Sequence, residues 1–281
     1  MDKRHLFSRA LLFVAMVLLL GVAQARANVF SDFNEKEQQL YQNAIHFMDN
    51  GMVDTGIDLL KGLDKAHPSN RAVVYEIVYG YIVKQDYEEA YQWAKKLLKL
   101  KDADADSYFI AGNAFDYVGK RKEAIEIYEK GLKKFPNSVR LWVEKGNMAY
   151  MMKNYDESVG CYEHAIDVDP NYDASYYRLA NLYALSTDPV WAVMYAQNYQ
   201  LQASKYERLM EMGKLIYDLY RENVTRKDGK WEVTFTKTVN FSAYASQDCD
   251  IPYNGYFYHM HKVVLDEGGF AGDTLTLADV A

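Results

Sequence analysis

The chain has 281 residues, close to half of them apolar (49%), so it can bury a large core without disulfides, and its two cysteines, Cys161 and Cys249, make no disulfide framework. Its formal net charge is −7, and an acidic surface repels phosphate backbones, which argues against nucleic acid as a partner.

Residues 1–27 read as a secretory signal peptide. Lys3, Arg4 and Arg9 precede the apolar run LLFVAMVLLLGVA, which is too short to span a membrane, and small-x-small cleavage sites follow at Ala23-Gln24-Ala25 and Ala25-Arg26-Ala27. Cleavage after Ala27 removes a net +3, from Lys3, Arg4, Arg9 and Arg26 against Asp2, and takes the chain from −7 to −10. The leader predicts export, to the periplasm, cell envelope or extracellular space. Residues 28–36 form a lead-in, in which Asn34 is spaced from Glu37 for a capping box.

From Glu37 the chain repeats every thirty-four residues, in the units 37–70, 71–104, 105–138, 139–172 and 173–206. Counted from the start of each unit, place four holds Leu40, Val74, Tyr108, Trp142 and Tyr176, and place eleven Phe47, Tyr81, Phe115, Ala149 and Tyr183. Place eight holds Ala44, Val78, Gly112, Gly146 and Ala180, and place twenty Gly56, Ala90, Ala124, Ser158 and Ala192. Apolar residues at places four, eight and eleven share one helical face, and small residues at eight and twenty let two helices approach closely. Each unit is therefore predicted to be a helix, a turn and a second helix. Pro68, Pro136 and Pro170 close three units, because proline cannot continue a helix. In the fifth unit Asp188 is predicted to cap the second helix, with Pro189 at its first position.

Cys161 and His164 lie three apart and could share a helix face as metal ligands. The same places elsewhere hold Leu59 and Gly62, Trp93 and Lys96, Ile127 and Lys130, and Tyr195 and Asn198, so the pair is an ordinary second-helix face and no metal is predicted there. After the repeats, residues 207–223 read as a capping helix with Leu209, Met212, Ile216 and Leu219 at helical spacing. No glycine or proline parts it from the preceding helix, so the two can be continuous. Residues 224–281 switch to period two: Trp231, Val233, Phe235, Val239 and Phe241 alternate with polar residues after the Asp228-Gly229 turn signal, predicting a strand. The stretches 256–265 and 274–277 could pair with it, in a small β-rich appendage packed on the capping helix.

At the repeat, the chain resembles the tetratricopeptide repeat family, best in YFIAGNAFDYVGKRKEAIEIYEKGLKKFP (108–136) and WVEKGNMAYMMKNYDESVGCYEHAIDVDP (142–170). It departs from the pattern at Asp102, where a proline is expected, and at Tyr199, where an alanine is expected. The resemblance implies a mainly α fold: a right-handed α-solenoid of five helix-turn-helix units plus the capping helix, with the small C-terminal β-rich appendage. It also implies a concave groove, lined by first helices, that takes an extended peptide or a helix of a partner protein. Carried onto this sequence, the groove places hold Tyr41, Tyr75, Tyr79, Phe109, Asn113, Tyr117, Asn147, Tyr150, Tyr177 and Asn181. Asn113, Asn147 and Asn181 recur at place nine, where a carboxamide could satisfy a bound peptide group. Family members that clamp a carboxylate use groove Lys and Arg, whereas place thirteen here holds Val83, Tyr117, Met151 and Leu185, and only Arg140 brings a cation to the assigned places.

The predicted function is a non-enzymatic scaffold acting outside the cytoplasmic membrane in assembly of an envelope or secretion complex. It would have no cofactor and no small-molecule substrate, and would contact membrane only through partners. The alternative is an enzyme or metal-binding protein whose site lies in the C-terminal segment, at Cys249, His259 and His261. A third expectation is an aromatic tail, with Trp231, Tyr253, Tyr256 and Phe257, that folds back into the groove.

Overall fold

The computed structural model describes residues 32–202, 205–227 and 230–235. The helices are α1 (Glu35–Asp49), α2 (Val53–Ala66), α3 (Arg71–Val83), α4 (Tyr87–Leu97), α5 (Ala105–Tyr117) and α6 (Arg121–Lys134), then α7 (Val139–Met151), α8 (Tyr155–Val168), α9 (Asp173–Ala184), α10 (Val190–Gln202) and α11 (Tyr206–Asn223). Two short strands follow, β1 (Val224–Lys227) and β2 (Lys230–Val233). The helices pack consecutively, each with the next along the chain, within two compact units: one runs to Pro136 and carries α1 to α6, the other begins at Asn137 and carries α7 to β2.

The amino-terminal unit starts with the predicted capping box: Asn34 Oδ1 accepts from the Glu37 amide at 3.0 Å, and Glu37 Oε2 accepts from the Asn34 amide at 2.9 Å. Asp104 and Ser107 build a second one at the head of α5. Asp102, in the place of a proline, lies 3.7 Å from Arg71, whose guanidinium also reaches Asp104 at 2.5 Å, so ion pairing holds that joint.

Place fifteen ends every first helix from α1 to α7 in the same way. Gly51 and Gly119 have φ +81, and Gln85 and Lys153 at the same place have φ 63. The residue that follows turns its amide back on the helix, Met52 to the Phe47 carbonyl at 2.8 Å, Asp86 to Tyr81 at 2.9 Å, Lys120 to Phe115 at 3.0 Å and Asn154 to Ala149 at 2.9 Å. These are Schellman ends, whose left-handed residue satisfies carbonyls the helix leaves open.

Places eight and twenty are buried in every repeat, from Ala44 and Gly56 to Ala180 and Ala192. A Cβ at Gly112 would overlap the Tyr128 ring, and one at Gly146 would lie 2.5 Å from the Tyr162 ring, so each glycine makes room for a buried tyrosine of the following helix. Ser158 spans its helix pair by donating to the Gly146 carbonyl at 2.9 Å.

In the carboxy-terminal unit, Tyr199 is fully buried and packs with Tyr176, Ala180, Ala196 and Met212, so α11 closes over a side chain larger than the alanine expected there. Lys205 is extended (φ −101, ψ 109), and α11 is a separate helix rather than a continuation of α10. α10 begins at Val190, one residue later than predicted, with the Pro189 carbonyl accepting from the Val193 amide. β1 was not legible as a strand. It pairs antiparallel with β2, Val224 opposite Val233 and Lys227 opposite Lys230. Val224, Val233 and Phe235 bury together with Val190, Val193 and Leu219, so the hairpin does pack on the capping helix. The predicted alternation holds from Glu232 to Phe235, and the Phe235 carbonyl accepts from the Val190 amide at 3.4 Å, giving the head of α10 a partner. The leader and the stretch 236–281, with the further strands predicted there, lie outside the described residues.

Candidate functional site

The first helices of the amino-terminal unit bring together six of the predicted groove residues. Tyr41 on α1 is half-buried, and its hydroxyl donates to Glu76 Oε1 on α3 at 3.5 Å. Tyr75 and Phe109 are half-buried, whereas Tyr79 and Tyr117 are exposed, with the Tyr117 ring 5.0 Å from Tyr87. Burial drives the Glu76 carboxyl up to about 7, with Asp49 adding to the rise and the Tyr41 hydrogen bond opposing it. Burial, then the Glu76 charge, also pushes Tyr41 well above the ordinary tyrosine range.

Asn113 is engaged within its own repeat, since its Oδ1 accepts from the buried Tyr128 hydroxyl at 2.6 Å. In the carboxy-terminal unit Asn147 does the same for Tyr162 at 2.8 Å and donates its Nδ2 to Glu144 at 3.0 Å. Asn181 differs: Ala196 stands where those tyrosines do, and the exposed carboxamide donates to the Tyr177 carbonyl at 2.8 Å. Tyr150 is exposed, 5.8 Å from Tyr155. The Tyr177 hydroxyl donates to Glu211 Oε2 at 2.9 Å under the Arg208 guanidinium, 4.7 Å from its ring.

Place thirteen, which held the wrong chemistry for a carboxylate clamp, is open on both units. Val83 is 43% exposed, Tyr117 50%, Met151 48% and Leu185 76%, although all are apolar or aromatic.

Sequence reasoning missed a cavity of about 420 Å³ between the turn-facing ends of α8 and α9, walled by Tyr155, Val159, Leu182, Tyr183 and Leu185 with Asp156 and Ser186 at its polar edge. None of the ten groove residues lines it, and Tyr150 meets it only through Tyr155. The apolar Tyr155 and Leu185, one at the head of α8 and the other just past the end of α9, were the available signal.

Cys161 is buried, which pushes its thiol up to about 11, while His164 is exposed with its ring 4.3 Å from Trp142. One side chain faces the core and the other the surface. Cys249, His259 and His261, and Tyr253, Tyr256 and Phe257 of the proposed tail, lie outside the described residues, as does the Trp231 side chain.

Two family models, both described as tetratricopeptide repeat, match residues 105–137 and 139–172. No curated protein matches significantly. Among solved structures, the chain is similar to TTC0263, a tetratricopeptide repeat protein of Thermus thermophilus, at 15% identity over 64% of this chain and 99% of that one, with a TM-score of 0.56. It is similar to PilW, a type IV pilus biogenesis factor, at 12% identity over 85% of this chain and 97% of that one, with a TM-score of 0.55. It is similar also to MamA from residue 41 onward, of Desulfovibrio magneticus RS-1, at 15% identity over 60% of this chain and 96% of that one, with a TM-score of 0.50. At such identities these likenesses speak for the fold alone. With the thirty-four-residue helix pairs and their shared turn, the two matched repeats show that the chain carries tetratricopeptide repeats.

Proposed function

We propose that this protein is a non-enzymatic scaffold whose first-helix faces receive an extended segment or a helix of a partner protein, outside the cytoplasmic membrane, during assembly of an envelope or secretion complex. The observation that carries the binding face is the exposure of Val83, Tyr117, Met151 and Leu185 at one place of four successive repeats. Apolar side chains scattered singly on a surface need no explanation, but recurrence at one repeat place, twice within each unit, marks a face on each unit meant to be covered. Tyr79 and Tyr150 add exposed rings that contribute wide contact at little rotamer cost. Export rests on the basic, apolar and small-residue order of residues 1–27. PilW, a protein of similar fold, is a type IV pilus biogenesis factor, and the assembly role proposed here is by analogy with that description.

Replacing Val83, Tyr117, Met151 and Leu185 by serine tests the reading. Crosslinking in cells should lose the partner captured by the unaltered protein, with helical content unchanged by circular dichroism. Undiminished capture contradicts it.

A further inference from the structure

The carboxylates of the amino-terminal unit are treated unequally. Asp64, only 8% exposed, takes both its oxygens to Lys96 Nζ, at 2.5 and 2.6 Å. Asp116 faces Arg121 at 3.0 Å, and Asp104 faces Arg71 at 2.5 Å. Glu76 is half-buried between α1 and α3, yet its hydrogen-bond partner is a phenol, Tyr41, and the charge acting on it is another carboxylate, Asp49. No lysine, arginine or histidine pairs with it among the described residues. Arg71, on the same helix, is held by Asp102 and Asp104. Removing a carboxylate from water without a cation is unfavourable, and the remedy is an opposite charge at hydrogen-bonding distance.

We propose that Glu76 is the recognition point for a basic side chain, best an arginine, of the partner segment that the first-helix face of this unit receives. The inference rests on the reading of that face as a binding surface and supplies the chemistry of what binds. Charge complementarity selects the occupant: Glu76 and Asp49 are both acidic, and Arg71, whose charge reaches Tyr41, is already paired with Asp102 and Asp104, on a chain of net charge −7. The aromatic setting favours a guanidinium. Tyr41 already donates to Glu76, and Tyr79 stands three residues further along α3 on the same helix side, so aromatic side chains lie close to where a bound cation would sit.

The titratable groups acting on Glu76 are Tyr41 and Asp49, both on α1; α2, α4 and α5, which also pack against α3, add no charge that shifts it. With its carboxyl pushed up to about 7, Glu76 is largely neutral at pH 6 and largely charged at pH 8, and a bound cation should draw off its proton.

Selection of a phage-displayed random dodecapeptide library on the full chain tests the proposal. The recovered peptides should carry arginine or lysine among apolar residues, their affinity by fluorescence anisotropy should fall about tenfold on Glu76→Gln, and binding to the unaltered protein should tighten from pH 6 to pH 8. Recovery of peptides without a basic residue, or affinity independent of pH and of Glu76→Gln, overturns the cation site and leaves the binding face standing. Recovery of no peptide, or only of peptides indifferent to Val83→Ser with Tyr117→Ser, overturns both. The pH comparison needs no variant, so the proposal can be refuted even if Glu76→Gln fails to fold.

Discussion

The hydroxyl of Tyr128 donates to Asn113 Oδ1 at 2.6 Å, and one repeat later Tyr162 does the same to Asn147 at 2.8 Å. In both repeats a glycine just before the asparagine gives up its side-chain volume to the tyrosine ring. Asparagine, tyrosine and glycine thus form one packing unit that ties the two helices of a repeat together.

Breaking that unit should have graded consequences. Tyr162→Phe removes one hydrogen bond and should cost about 1 kcal/mol. Gly146→Ala forces a methyl into the ring and should cost about 1–3 kcal/mol. Urea denaturation of each variant reads the difference; equal stability of Gly146→Ala and the unaltered chain would show that the close approach is unimportant.

The fold was legible to the extent that it is built from side-chain size and periodicity. Small residues at places eight and twenty give the helix pairs, and the Asn34 and Glu37 box was readable from spacing alone. What escaped depended on backbone conformation or on atoms brought from elsewhere in the chain. Gln85 and Lys153 conceal the left-handed place that Gly51 and Gly119 mark. The sequence VTRK of β1 is too short and polar to announce a strand until β2 and the core around Val190 are beside it. At the candidate site, the place-nine asparagines stood out by recurrence, but the tyrosine that engages two of them lies fifteen residues away and is missing from the fifth repeat. That Glu76 meets no cation among the described residues was invisible, because it depends on α1 bringing a phenol and a carboxylate where Asp64, Asp104 and Asp116 of this unit meet a cation.

Place fifteen offers a gain in stability. Gln85 and Lys153 hold φ 63, which disfavours a side chain by about 1–2 kcal/mol. Gln85→Gly and Lys153→Gly should each stabilise by somewhat less than that, about 0.5–1 kcal/mol, because glycine also loosens the unfolded chain. Gly119→Ala should do the reverse. Thermal unfolding of the three variants checks the sign, and a destabilised Gln85→Gly would count against the strain argument.

Glu76 should leave a signature in the pH dependence of stability. Its folded value, near 7, lies above the ordinary 4.5, so between these values the folded state binds more protons than the unfolded chain. Stability from this group is therefore complete below about 4.5 and is lost as the pH rises through 7. Glu76→Gln should remove that slope and stabilise the chain at pH 8 by on the order of 2 kcal/mol, one pKa unit being worth about 1.4 kcal/mol. Denaturation of both proteins at pH 5 and pH 8 decides it, and a gap that does not widen with pH would contradict the assignment.

The hairpin should behave as part of the carboxy-terminal core. Phe235 is fully buried, with Tyr220 edge-on at 5.0 Å, and its carbonyl meets the head of α10. Phe235→Ala should cost about 3–5 kcal/mol and raise amide exchange at Val190 together with β1. Faster exchange in β1 and β2 alone would mean that the strands only rest on the helices.

Whether a partner lies on the first helices can be read by site-specific photocrosslinking. A photoreactive residue placed singly at Tyr79, Tyr117, Tyr150 or Tyr177 should give an adduct with one and the same partner, and the same residue at Glu126, Lys133 or Glu163 on the second helices should give none. Adducts confined to the second-helix positions would put the partner on the opposite side of each repeat and overturn the proposed binding face.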